Sequence, residues 1–122
     1  MVYISKIIWI SKDALEAEVI ITDGLYELKC FSQPMNYDIN HMIEEPLYCY
    51  NVKNLVKAWE TEFSVVKLTE YFAYNIYAQV VDKEVGLIKL GDIKMQVEKN
   101  ILPGDIKDND YISYYCQRID LM

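Results

Sequence analysis

Residues 71–81 read YFAYNIYAQVV, with aromatic rings at Tyr71, Phe72, Tyr74 and Tyr77 and no charge. Side chains alternate across a strand with period two. Read that way, Phe72, Tyr74, Ile76, Ala78 and Val80 share one face, and Ala73, Asn75, Tyr77, Gln79 and Val81 share the other. The first face is almost wholly apolar and is predicted to be core. The second carries an amide on each side of Tyr77. A strand here makes the chain a β protein with one face of rings inside, and leaves Tyr77 either covered by a helix or the 33–46 connection as a second layer of core or open to a partner.

The flanks support that reading. Asp82-Lys83-Glu84 turns the chain after the strand, and VGLIKL and DIKMQVE follow on either side of Gly91. Ile93, Met95 and Val97 point in, Lys94, Gln96 and Glu98 point out, and Gly91-Asp92 makes a hairpin corner. Pro103-Gly104 and Asn109 mark tight turns. Residues 111–121, YISYYCQRIDL, form a final strand, with Tyr111, Ser113, Tyr115 and Gln117 on its polar side.

Toward the N-terminus the pattern changes. Val52, Leu55, Val56, Trp59 and Phe63 fall at helical spacing, and Asn51 is a suitable N-cap, so a helix is predicted over about 52–60. SVVKLTE, 64–70, is read as a second short helical turn, with Val65, Leu68 and Phe72 on one side. LYCY, 47–50, is a short strand. Residues 33–46 lie between Pro34 and Pro46 without alternation and form a long connection with a helical turn. Leu15, Ala17, Val19 and Ile21 face one way and Glu16, Glu18, Ile20 and Thr22 the other, and Asp23-Gly24 then supplies the positive φ angles of a two-residue type I′ hairpin. VYISKIIWI, 2–10, is rich in β-branched and aromatic residues and is predicted to be the first strand.

The expected fold is mainly β: one domain over residues 1–122, a small closed or strongly curved antiparallel barrel with one inserted amphipathic helix. An open α+β sheet is the alternative. The order of strands, helix, then strands is loosely like an oligonucleotide/oligosaccharide-binding barrel. That likeness is architectural and no motif carries it.

Composition narrows the function. The 122 residues hold 12 Lys plus Arg against 19 Asp plus Glu, a net charge of −7. Phosphate backbones are bound through clustered cations, and here the lysines are scattered and Arg118 is the sole arginine, so nucleic acid is disfavoured. An anionic membrane surface is disfavoured for the same reason. No stretch is long enough to span a bilayer. The three cysteines, Cys30, Cys49 and Cys116, cannot all pair within one chain and show no CxxC spacing, which reads as reduced thiols in a cytoplasmic protein. The start is not read as a signal peptide.

Catalytic chemistry is poorly provided for. His41 is the single histidine, so a zinc site of several imidazoles is ruled out. A Cys49–His41 nucleophile pair is conceivable, but Cys49 sits between tyrosines in an apolar run and reads as core. Phosphate loops and nucleophile elbows are missing. Asp105, Asp108 and Asp110 read as turn residues rather than calcium ligands, and no metal or cofactor is expected.

Eleven tyrosines are the compositional outlier. Tyrosine is amphipathic and enriched at interfaces. If the strand at 72–81 pairs with the strand at 111–121, Tyr77 and Tyr115 share an outward surface with Asn75, Gln79 and Tyr111, and Arg118 lies near the rim. Those residues are the candidate binding set. The expected function is a non-catalytic module that contacts a protein partner or itself. A barrel that stacks single-stranded nucleic acid on these rings is the alternative. A small-molecule binder or enzyme with a cavity in the barrel comes third.

Overall fold

β-branched and aromatic residues recur in every segment, and the chain uses them as strands. A computed structural model describes residues 1–69 and 72–122, so Glu70, the end of the segment read as a helical turn, and Tyr71 lie outside the described residues. Nine strands form among those residues: β1 (Tyr3–Ser11), β2 (Glu16–Thr22), β3 (Glu27–Ser32), β4 (Leu47–Lys57), β5 (Ser64–Lys67), β6 (Tyr74–Asp82), β7 (Leu87–Leu90), β8 (Ile93–Gln96) and β9 (Tyr111–Leu121). A 3-10 turn at Lys99–Ile101 precedes β9.

The strands order as β1-β2-β3-β9-β4-β8-β7-β6-β5, and a further β9–β6 pairing closes β9, β4, β8, β7 and β6 into a five-stranded barrel. β8 joins β4 in parallel through Leu47–Met95 and Tyr48–Gln96, while β6, β7 and β8 are consecutive antiparallel neighbours. The β1–β2–β3 meander attaches where β3 meets the end of β9 in parallel, at Phe31–Asp120 and Ser32–Leu121. β9 is therefore shared by the barrel and the N-terminal sheet. Closure removes edges that could otherwise pair with other chains.

The interior is filled by side chains. Ile76, Ala78, Val80, Ile88, Leu90, Ile93, Met95, Ile112 and Cys116 are buried in the barrel, and Ile4, Ala17, Val19, Ile21, Leu28 and Cys30 under the meander. The expected inward set of the strand at 72–81 is all buried, and the inward set Ile93, Met95 and Val97 likewise. Ala73, expected on the outward face, is buried too, because it precedes the start of regular pairing at Tyr74. The Tyr74 hydroxyl accepts the Lys29 backbone N–H at 2.8 Å and ties barrel to meander. Burial pushes its pKa up.

The inserted helix at 52–60 does not form, and the second helical turn read at 64–70 is not found among its described residues either, the first four being β5. β4 runs through the whole of 47–57. Asn51 and Asn54 sit at φ 55° and 57°, the left-handed region that asparagine tolerates, and the β4–β9 register slips between Lys53 and Val56. The resulting bends destroy strict alternation, which leaves apolar residues three and four apart and imitates a helix. Leu55 is buried, whereas Val56 and Trp59 are exposed. The open α+β alternative fails with the helix, and the likeness to the oligonucleotide/oligosaccharide-binding layout keeps only its barrel closure.

The hairpin at Asp23-Gly24 forms with a longer turn than expected. Thr22–Glu27 is the last pair, and of the turn residues only Gly24 takes a positive φ, 94°. The Asp23 carboxylate accepts the N–H groups of Leu25 at 2.9 Å and Tyr26 at 2.8 Å, so the side chain builds the turn. Its other oxygen accepts the Asp92 N–H at 2.9 Å across to the β7–β8 corner. Partial burial raises the Asp23 pKa, but the backbone N–H donors around the carboxylate outweigh it and the net shift is downward. Gly91, at φ 58°, has no room for a side chain, since a Cβ would stand 2.5 Å from Asp23 Oδ2. The segment 33–46 is a long irregular connection without a helix, returning to β1 through a bridge between Tyr3 and Met42.

Candidate functional site

β6 and β9 are neighbours, antiparallel, with Asn75 opposite Tyr115, Tyr77 opposite Ser113 and Gln79 opposite Tyr111. Outward positions on the flanking strands extend these pairs into rows. The first runs Val66, Asn75, Tyr115, Lys53; the second Ser64, Tyr77, Ser113, Val56. The third runs Lys94, Lys89, Gln79, Tyr111. Alternation explains the set: Val65, Ile76 and Tyr114, one residue away, form the inward row between the first two.

Five of the six candidate residues thus meet on one face: Asn75, Tyr77, Gln79, Tyr111 and Tyr115. Asn75, Val56, Val66, Lys53 and Lys94 are exposed, and the three tyrosines are half-buried. Tyr111 is braced from the side by Phe63, ring centroids 5.5 Å apart, and Phe63 in turn meets Tyr26 at 6.1 Å. Gln79 donates from Nε2 to the Asn109 carbonyl at 3.1 Å.

No aspartate or glutamate stands in any of the three rows, in a chain with 19 acids. The charges present are Lys53, Lys89 and Lys94, and none of them makes an ion pair among the described residues. Lys89 and Lys94 stand directly opposite each other, an arrangement that costs stability unless an anion relieves it.

Arg118 lies elsewhere. β9 changes the sense of its alternation at Gln117, where Asn51 Nδ2 donates to Gln117 Oε1 at 2.6 Å. Arg118 then points to the outer side between the rings of Phe31 and Tyr50, 4.6 and 4.9 Å from their centroids. Asp120 accepts from its Nε at 2.6 Å and from Nη2 at 3.0 Å. Ile10, Glu16, Phe72 and Gln117 complete a surface groove of about 570 Å³ around it. A guanidinium held by two rings and a forked carboxylate is clamped, and the clamp spans β3, β9 and β4.

The residues weighed for catalysis are apart. His41 is exposed and stacks on Tyr37 at 4.3 Å. Cys49 is buried, its Sγ 3.5 Å from the Tyr114 hydroxyl and 3.8 Å from Met95 Sδ. Its hydrogen bond with Cys116 and its burial push its pKa well up, so the thiol is kept protonated. Burial does the same for the Tyr114 phenol. Asp108 and Asp110 serve turns: Asp108 Oδ1 accepts the Lys83 N–H at 2.7 Å and Asp110 Oδ2 the Lys107 N–H at 2.9 Å.

Lys53, Val56, Ser64 and Val66 escaped the sequence reading because they fell in segments read as helix. Lys89 and Lys94 were legible as outward residues, but their adjacency to Gln79 requires the strand order. Comparisons with protein-family models, with curated proteins and with solved structures give no match.

Proposed function

We propose that the chain is a non-catalytic protein-contact module whose binding surface is the outward face of β4, β9, β6 and β5 with the adjoining Lys89 and Lys94 of β7 and β8. The observation that supports this is the charge segregation: half-buried tyrosines, amides, two exposed valines and three lysines without ion pairs stand together, free of carboxylates, on a protein of net charge −7. Tyrosine at the centre of such a patch offers large contact area with little entropy to lose. The lysines favour a partner that presents carboxylates. A cytoplasmic setting belongs to the same proposal and rests on the three buried free cysteines.

A photoreactive benzoylphenylalanine at position 77 tests the reading. In the source cells it is expected to trap a defined protein that the same group at Leu25, on the β2–β3 turn, does not. That protein, purified, should bind the wild type and lose about thirtyfold or more on Tyr115→Ala. Equal trapping from both positions, or unchanged affinity in Tyr115→Ala, contradicts it.

The Lys89–Lys94 pair beside Tyr111 and Gln79 favours a second reading, single-stranded nucleic acid stacked on the rings. The overall charge opposes it. Anisotropy of a labelled oligonucleotide at low salt decides, since electrostatic binding is strongest there.

A further inference from the structure

β1 ends the strand order, and among the described residues its outer edge is hydrogen-bonded only at its start. There Asn40 donates to the Ile4 carbonyl at 2.7 Å, the Ile4 N–H reaches His41 at 3.1 Å, and the Ile43 N–H reaches Val2 at 2.8 Å. From Lys6 to Ser11 the edge meets no strand among the described residues. Ile8, Trp9 and Ile10 are 38%, 38% and 45% exposed there. Free edges are normally defended by charged side chains, lysine above all, by proline, by inward charge or by a bulge. The bulges of β1 fall at Ser5 and Ile10, and the run between them, Lys6–Trp9, pairs regularly with β2 on its other side, holds no proline and carries a single charge, Lys6 at its end.

Ile4 directs both its N–H and its C=O to the outer edge. Carried past the bulge at Ser5, the β2 register turns the same groups of Ile7 and Trp9 outward. An antiparallel copy of the strand, centred on Ile8, sets Ile7 against Trp9 of the copy in a hydrogen-bonded pair, twice by symmetry. It sets Ile8 against Ile8 on the axis and Lys6 against Ile10. Ile10 lies beside the Ser11–Glu16 pair, so each Lys6 extends toward the Glu16 of the other chain. The edge is thus complementary to itself in hydrogen bonding, apolar contact and charge, which is what a two-fold contact requires. We propose that the chain forms a symmetric dimer by antiparallel pairing of β1 with β1 of a second copy, joining the two sheets into one.

Sedimentation equilibrium tests this, with a dimer expected at twice the 14.4 kDa chain mass. Ile8→Lys places like charges on the axis and is expected to weaken the dimer about a hundredfold. Ile8→Cys provides an independent arm, since paired residues on the axis have Cβ atoms about 5 Å apart and should cross-link under mild oxidation. Leu25→Cys should not. Tyr77→Ala should leave the dimer intact, which separates this proposal from the tyrosine-face reading. A monomer at every concentration, a dimer unaffected by Ile8→Lys, or no cross-link through Cys at position 8 overturns it.

Discussion

The outer face of the N-terminal sheet and the tyrosine face of the barrel both lie outside the core, yet they handle charge in different ways. On the first, Lys29 sits 3.5 Å from Glu18, and Arg118 is chelated by Asp120 at 2.6 Å. On the second, Lys53, Lys89 and Lys94 stand without carboxylates, and two of them oppose each other. Balanced charge suits a surface that stays in water. A surface with repulsion left in it gives up a little stability, and a complementary partner would recover it. Net charge alone would have assigned both faces the same role.

Adjacent residues of β6 sharpen the contrast most. Ile76→Ala removes a fully buried side chain from the barrel and should cost about 3–4 kcal/mol in chemical denaturation. Tyr77→Ala, on the outward face, should cost under about 1 kcal/mol in the same measurement, while abolishing partner binding. Equal costs would mean that Tyr77 is a second layer of core.

An intermediate effect separates the two buried phenols. Tyr74→Phe leaves the Lys29 N–H without its acceptor and should cost about 1–3 kcal/mol. Tyr114→Phe gives up only contacts to the sulfurs of Cys49 and Met95 and should change stability by less than about 1 kcal/mol. Thermal melts of the two variants compare them directly.

The smallest effect tests the charge contrast by sign. Lys89→Glu should stabilise the free protein by about 0.5 kcal/mol by relieving its repulsion with Lys94. Glu18→Gln should destabilise it by a similar or smaller amount by breaking the pair with Lys29. Shifts of the same direction would show that the two faces do not differ in this way.

What was legible depended on regularity. β6, β8 and β9 alternate over most of their lengths, so the strands themselves and the inward residues of β6 and β8 followed from period two, and the pairing of β6 with β9 was the condition on which the candidate face rested. β4 hid behind left-handed turns at Asn51 and Asn54, which no propensity distinguishes from a helix cap. β5 is four residues long and leaves too little pattern to read. Arg118, expected near the rim, sits instead in the groove between Phe31 and Tyr50, on the stretch of β9 that follows the shift of alternation at Gln117. The carboxylate-free face was not readable at all, since its rows join residues from six strands.

Both the face and its charge depend on β9 lying between β6 and β4. Cross-strand nuclear Overhauser contacts in the isotope-labelled protein test that arrangement most directly. Contacts linking Tyr77 with Ser113 and Ser113 with Val56 are the predicted result. Sequential helical contacts over residues 52–60, with none between Tyr77 and Ser113, would contradict it.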